Sequence, residues 1–126
     1  MPERTDRELL ELAAKAAGLG EVWYLERSDT PYIGKKFQIG MPIEYKAWNP
    51  LTNDGDALRL AVTLRLDIKF LDGFKQVCCR RSDDRDNFEM HGLVGYGEGA
   101  DPWVSAENVR RAIVRAAAEI GANMQS

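Results

Sequence analysis

Apolar and polar residues along this chain follow two different periods, and the changes of period divide it into elements. Thr5 and Glu8 form the T-x-x-E pattern of a capping box, followed by Leu9, Leu10, Leu12, Ala13, Ala16 and Ala17 at helical spacing. Gly18 and Gly20 supply the permissive backbone that stops such a helix. The pattern predicts a helix over 6–17, short and alanine-rich, whose stability has to come from packing its Leu9/Leu10/Ala13 face. A second helix is predicted over about 55–66, because Ala57, Leu60, Ala61 and Leu64 fall at i, i+3, i+4 and i+7. Asn53 or Asp54 is its natural N-cap, and Asp54 and Asp56 suit the positive end of its dipole. The third helix is the clearest. Val109, Ala112, Ile113, Ala116, Ala117 and Ile120 form one face, and Arg110, Arg111, Arg115 and Glu119 the other. Asp101 before Pro102, or Ser105, is expected to cap it, and Gly121 to close it.

Strand signals fill the intervals. Val22 to Leu25 is a short run of strand-favouring residues. Ser28 to Gly34, polar and broken by Pro31, reads as a loop. Phe37, Ile39, Met41, Ile43 and Tyr45 alternate as a half-buried strand would, with Gly40 and Pro42 interrupting; Pro42 implies an edge strand, a bulge or no strand. Asp72-Gly73 between two alternating runs predicts a type I′ hairpin, with strands at about 67–71 and 74–80. Phe88, Met90 and Leu93-Val94 suggest one more strand before the glycines at 95, 97 and 99. The elements predict an α+β domain in which about three helices pack on a small, mainly antiparallel sheet. No repeat or linker interrupts it, so residues 1–126 are expected to form one domain.

Composition narrows the function classes. A chain of 126 residues buries roughly two-thirds of its unfolded surface. The net charge of −3 argues against a protein whose main task is gripping nucleic acid. No run of about 18 apolar residues exists to span a membrane, and the charged N-terminal stretch has no signal-peptide core. Cys78 and Cys79 are adjacent, so in a strand they point to opposite faces; they suit reduced, buried thiols in a cytoplasmic protein.

The run WNPLTNDGDALRLAVTL from Trp48 is the anchor of the pattern. Together with the opening TDRELLELAAKAAG and the closing RRAIVRAAAEIG, it resembles the phage ABA-sandwich domain family of small tailed-phage and prophage proteins. That resemblance implies an alpha/beta/alpha sandwich and an accessory protein of a phage, acting in the bacterial host; it supplies no catalytic residues.

Candidate chemistry is sparse. N-D-G-D hints at a calcium loop, but Pro50, Thr52 and Ala61 stand where ligands belong, so a helix cap is the better reading. Gly95, Gly97 and Ala100 have the G-x-G-x-x-A spacing of a dinucleotide site. Asp101-Pro102 follows directly, however, and Glu119 lies inside a helix rather than at a strand end. Cys78, Cys79 and His91 lack a fourth ligand for zinc, though a Cys–His nucleophilic pair is geometrically possible. Asp83, Asp84, Asp86 and Glu89 read as a solvated turn. Neither metal, cofactor nor catalytic residue is expected. The candidate binding residues are Trp48, Asn49, Asp54 and Asp56 around the anchor, and Arg110, Arg111 and Arg115 as a basic stripe on the last helix. Trp48 is either the plug of the core or an interface anchor, with the core preferred. A protein partner of phage or host is expected first. A nucleic-acid partner on the arginine stripe comes second, since no aromatic residues interleave with it, and a Cys/His enzyme third.

Overall fold

The computed structural model describes residues 4–24, 27, 29–35, 44–71, 76–81, 94–95 and 106–124. Three helices and six strands follow the order α1 (Asp6–Ala17), β1 (Trp23–Tyr24), β2 (Pro31–Lys35), β3 (Glu44–Ala47), α2 (Asp54–Leu64), β4 (Leu66–Leu71), β5 (Gln76–Arg81), β6 (Val94–Gly95), α3 (Ala106–Asn123). This is a small α+β domain with antiparallel strands throughout the described pairings. Where the pattern suggested one small sheet, the strands divide into two, ordered β1-β2-β3 and β4-β5-β6.

Helix α1 forms where its local signals say. Thr5 Oγ1 accepts the Glu8 N–H at 3.2 Å, and Gly18, at φ +71°, turns its N–H back to the carbonyls of Ala14 and Lys15. Helix α2 begins as expected, with the Asn53 side chain accepting the Asp56 N–H at 2.8 Å. It ends at Leu64, earlier than the apolar pattern suggests, because Arg65 adopts the left-handed conformation at φ 53° and caps it. Leu66 then starts β4 at once.

The strands depart further from expectation. Pro31 does not sit in a loop: it opens β2, which pairs with β1 through Tyr24↔Pro31 and with β3 through Tyr32↔Ala47. A proline is tolerated at a strand's first residue because the ladder loses no internal donor there. Of the expected alternating strand, β3 shows Glu44–Ala47; positions 36–43 lie outside the described residues. In the hairpin, Leu71 faces Gln76. A two-residue turn at Asp72-Gly73 would instead set Leu71 against Phe74, so the register differs from the one expected; residues 72–75 lie outside the described set. Val94 and Gly95 pair with β5, while residues 88–93 and the expected caps at Asp101 and Ser105 lie outside it.

Helix α3 is the hub. It touches α1, α2 and all three strands of the second sheet. Beyond the predicted apolar face, Val114 and Ala118 are also fully buried, so the side expected to be solvated is covered in part. Gly121, expected to end the helix, lies inside it and is buried. The reason is packing rather than termination. A Cβ built on Gly121 would lie 2.0 Å from the Leu12 carbonyl oxygen and 2.8 Å from its carbon. The backbones of α1 and α3 therefore meet at this residue, and only glycine fits. Ala13, Ala14, Ala112, Ala116 and Ala117, all at zero exposure, line the same core with Leu9, Leu10 and Ile113.

Gly121→Ala should therefore destabilise the domain by about 2 kcal/mol or more. The clash is with backbone, which cannot rotate away, and it outweighs the gain of about 1 kcal/mol that alanine brings to a helix interior. Urea denaturation of the purified variant checks this; an unchanged or raised midpoint would mean that the helices do not meet there.

Candidate functional site

The W-N-P-L loop is where most of the sequence-predicted binding residues converge. It leaves β3 and enters α2, so its geometry sets the angle between sheet and helix. Trp48 is only 4% exposed, and its backbone N–H donates to the Pro31 carbonyl at 3.0 Å, tying the loop to β2. The indole packs in the core with Ile33, Leu51, Leu60 and Leu64, which is the plug reading. Pro50 is fully buried behind it.

Asn49 and Asp56 organise the turn. The Asn49 N–H donates to Asp56 Oδ2 at 3.0 Å, and Asn49 Oδ1 accepts the Leu51 N–H at 3.1 Å, an Asx-type bridge that holds the chain bent around proline. The Asn49 carbonyl accepts the N–H groups of Thr52 and Asn53. Among the described residues, Asp56 is the buried charged side chain, 8% exposed. Its other oxygen takes the Arg59 guanidinium at 2.7 Å. A buried carboxylate has to be hydrogen-bonded or paired; here it is both, to its own loop and its own helix.

Arg110 brings α3 to the same place. Its Nε donates to the Leu51 carbonyl at 2.9 Å and its Nη1 to Asp54 Oδ1 at 2.6 Å. Trp48, Asn49, Asp54, Asp56 and Arg110 thus form one cluster, in which each hydrogen bond described joins two parts of this chain. Arg111 points elsewhere, to Asp6 Oδ1 of α1 at 3.1 Å. Arg115, partly buried, is also partnered within the chain. The three arginines do not present a common free face.

The cysteines occupy opposite faces of β5, Cys78 beside Lys69 and Cys79 beside Ile68. Both are buried. Burial pushes the Cys79 thiol up to about 12, with Cys78 adding to the shift. Such a thiol is not a nucleophile near neutral pH. His91 and the carboxylates at 83, 84, 86 and 89 lie outside the described residues, as do Gly97 and Ala100. Among the described residues no group of three or more His, Cys, Asp or Glu side chains is placed to hold a metal ion.

Two surface features escaped the sequence reading. An open cleft of about 710 Å³ lies where α1 ends and the chain runs to β1, lined by Glu11, Lys15, Gly18, Gly20, Glu21 and Val22. Gly18 and Gly20 signal only a helix stop in sequence, and nothing local shows that the chain folds back over Glu11 and Lys15. The second feature is apolar. Leu58 and Val62 on α2 are 62% and 68% exposed, and Ile68 and Phe70 on β4 are 36% and 49% exposed. A signal for the first pair was present, since Leu58 and Val62 stand off the Ala57/Leu60/Ala61/Leu64 stripe. The chain matches no family model, no curated protein and no solved structure.

Two outcomes follow from the cluster and the thiols. Asp56→Ala strands the Asn49 N–H and frees the loop, and should cost about 1–3 kcal/mol by urea denaturation; a variant as stable as the wild type would show that the carboxylate does not organise the loop. For Cys79, the folded thiol ionises well above its ordinary 9.0. Its contribution is fully present below that value and is lost as pH rises toward about 12. A Cys79→Val variant should therefore lose less stability than the wild type between about pH 9 and 11, the shallower slope being the readout, and native protein should resist alkylation until denatured.

Proposed function

We propose that this chain is a non-enzymatic protein-binding module, an accessory protein of phage or prophage origin that works in the bacterial cytoplasm. The observation that carries the binding reading is the division of its side chains. Among the described residues, Asn49, Asp54, Asp56 and Arg110 are bonded within the chain, while Leu58 and Val62 stand outside. Leu58 and Val62 lie one helical turn apart on α2, away from its buried stripe, on a helix fixed at both ends by its caps. Covering such a side chain is worth about 1.5–3 kcal/mol, so the pair suits a partner protein with an apolar strip of its own. The phage origin is supported by the resemblance carried in WNPLTNDGDALRLAVTL and in the two alanine-rich helices. Among the described residues no helix is long and apolar enough to cross a membrane. The nucleic-acid reading draws less support, because Arg110 and Arg111 are held by Asp54 and Asp6. The enzyme reading would have to use a deeply buried thiol.

The test uses Leu58→Asp combined with Val62→Asp. Both positions are exposed, so the double variant should melt within a few degrees of the wild type. It should fail to recover from phage-infected cells the protein that the wild type retains. Equal recovery of that protein by wild type and variant would overturn the α2 face as the binding surface.

A further inference from the structure

Among the described strands, β4 is an edge. On one side it pairs with β5 over its whole length, from Leu66↔Arg81 to Leu71↔Gln76; among the described residues no strand lies on its other side. Exposed strand edges present a row of backbone donors and acceptors that template further pairing. Residues 66–70 read Leu-Asp-Ile-Lys-Phe. Leu66, Ile68 and Phe70 share one face of the strand and Asp67 and Lys69 the other, because side chains alternate. The apolar face is the one that continues into the core, since Ile68 lies opposite Cys79 and Phe70 opposite Val77, both fully buried. Leu66 is packed against that core, yet Ile68 and Phe70 remain 36% and 49% exposed at its margin.

We infer that two copies of this chain associate through their β4 edges, antiparallel about a two-fold axis at Ile68. This surface is separate from the α2 face above, and the inference goes beyond that reading. The warrant is the order of charges. An antiparallel pair centred on Ile68 sets Asp67 of each copy opposite Lys69 of the other, twice over. On the other face it sets Ile68 against Ile68, and Leu66 against Phe70. Opposite charges directly across a pair favour pairing and like charges oppose it. Moving the axis to Asp67 would bring two aspartates together, and moving it to Lys69 two lysines. Placing it between residues would set apolar against charged side chains along the whole run. Of these registers, only the one centred on Ile68 is complementary on both faces. Asp67 already has a contact within its own chain; a carboxylate offers about four acceptor sites and can take a second donor. A lysine often guards an edge against pairing. Here Lys69 selects the register instead. The new contact would extend the sheet from three described strands to six and cover the exposed sides of Ile68 and Phe70, in the symmetric, self-complementary manner of most soluble dimers.

Sedimentation equilibrium over a concentration series tests this with the whole chain. The wild type should show a reversible monomer–dimer equilibrium. Lys69→Asp sets two pairs of carboxylates face to face and Asp67→Lys two pairs of lysines, so each variant alone should self-associate about tenfold more weakly or less. An equimolar mixture of the two variants restores both opposite-charge pairs and should form a heterodimer as readily as the wild type forms its homodimer. Thermal melts of each variant verify that the fold is retained, which the exposure of Asp67 and Lys69 favours. The Leu58→Asp/Val62→Asp variant should dimerise normally, which separates this inference from the reading of α2. A wild type that is monomeric at every concentration would overturn the proposal. So would self-association that both charge variants retain, or a mixture that fails to recover it.

Discussion

The contact between α1 and α3 is the constraint on which the rest of the molecule depends. Its side chains are small, so it buries little apolar area per residue. What it gains instead is proximity, as the backbone at Gly121 lies against the Leu12 carbonyl. Close approach leaves the alanines between the helices at zero exposure, and it draws Leu9, Leu10 and Ile113 into the same cluster. The polar ties around the rim, Arg111 to Asp6, Arg4 to Glu119 and Lys15 to the Met124 carbonyl, are partly or largely exposed. Exposed pairs of this kind contribute about 0–1 kcal/mol each. They fix the axial register of the two helices more than they hold them together.

The polar interior follows from that arrangement. With α3 occupied by α1 along one side, α2 has to reach it from another, and it adds charge at its first turn to the apolar face it places in the shared core. Arg110 bridges the Leu51 carbonyl and Asp54, and Asp56 holds the loop that delivers Trp48. Burying a carboxylate is costly unless it is fully partnered, so a network of this kind has little freedom to rearrange around a ligand. The described binding candidates of this loop, Asn49, Asp54, Asp56 and Arg110, are thus committed to architecture. Their value to function is indirect, in that they hold α2 rigid.

What was legible in the sequence was local. Thr5, Asn53 and Gly18 act on N–H or carbonyl groups within a few residues, so their roles as caps can be read directly. The β structure was less legible because pairing is decided far along the chain. Pro31 looks like a loop residue until β1 and β3 close on it, and a hairpin register inferred from Asp72-Gly73 gives way to the one that sets Ile68 and Phe70 beside Cys79 and Val77. Gly121 shows the same limit inside a helix. A glycine near a helix end signals termination, and only the neighbouring helix reveals that its missing Cβ is the point. Of the candidate residues, the sequence grouped Trp48, Asn49, Asp54 and Asp56 correctly as neighbours, since they share one loop and one helix turn. It could not show that Arg110 joins them while Arg111 turns to Asp6, because that depends on how α3 is rotated.

The junction between α2 and β4 links this architecture to recognition. A single left-handed residue, Arg65, separates the last turn of the helix from the first residue of the strand. No loop absorbs motion between them, so Leu58 and Val62 on the helix are held in fixed relation to Ile68 and Phe70 on the strand. Docking on a surface already in its bound geometry avoids the ordering cost of about 0.5–1.5 kcal/mol that each freely rotating side chain or loose segment adds to association. The helix is in turn anchored at its opposite, N-terminal end through Asp56, Asn53 and Arg110, and the strand through β5 to α3. Loss of the polar network would therefore be felt at the exposed apolar residues, because what the network supplies to them is a rigid frame.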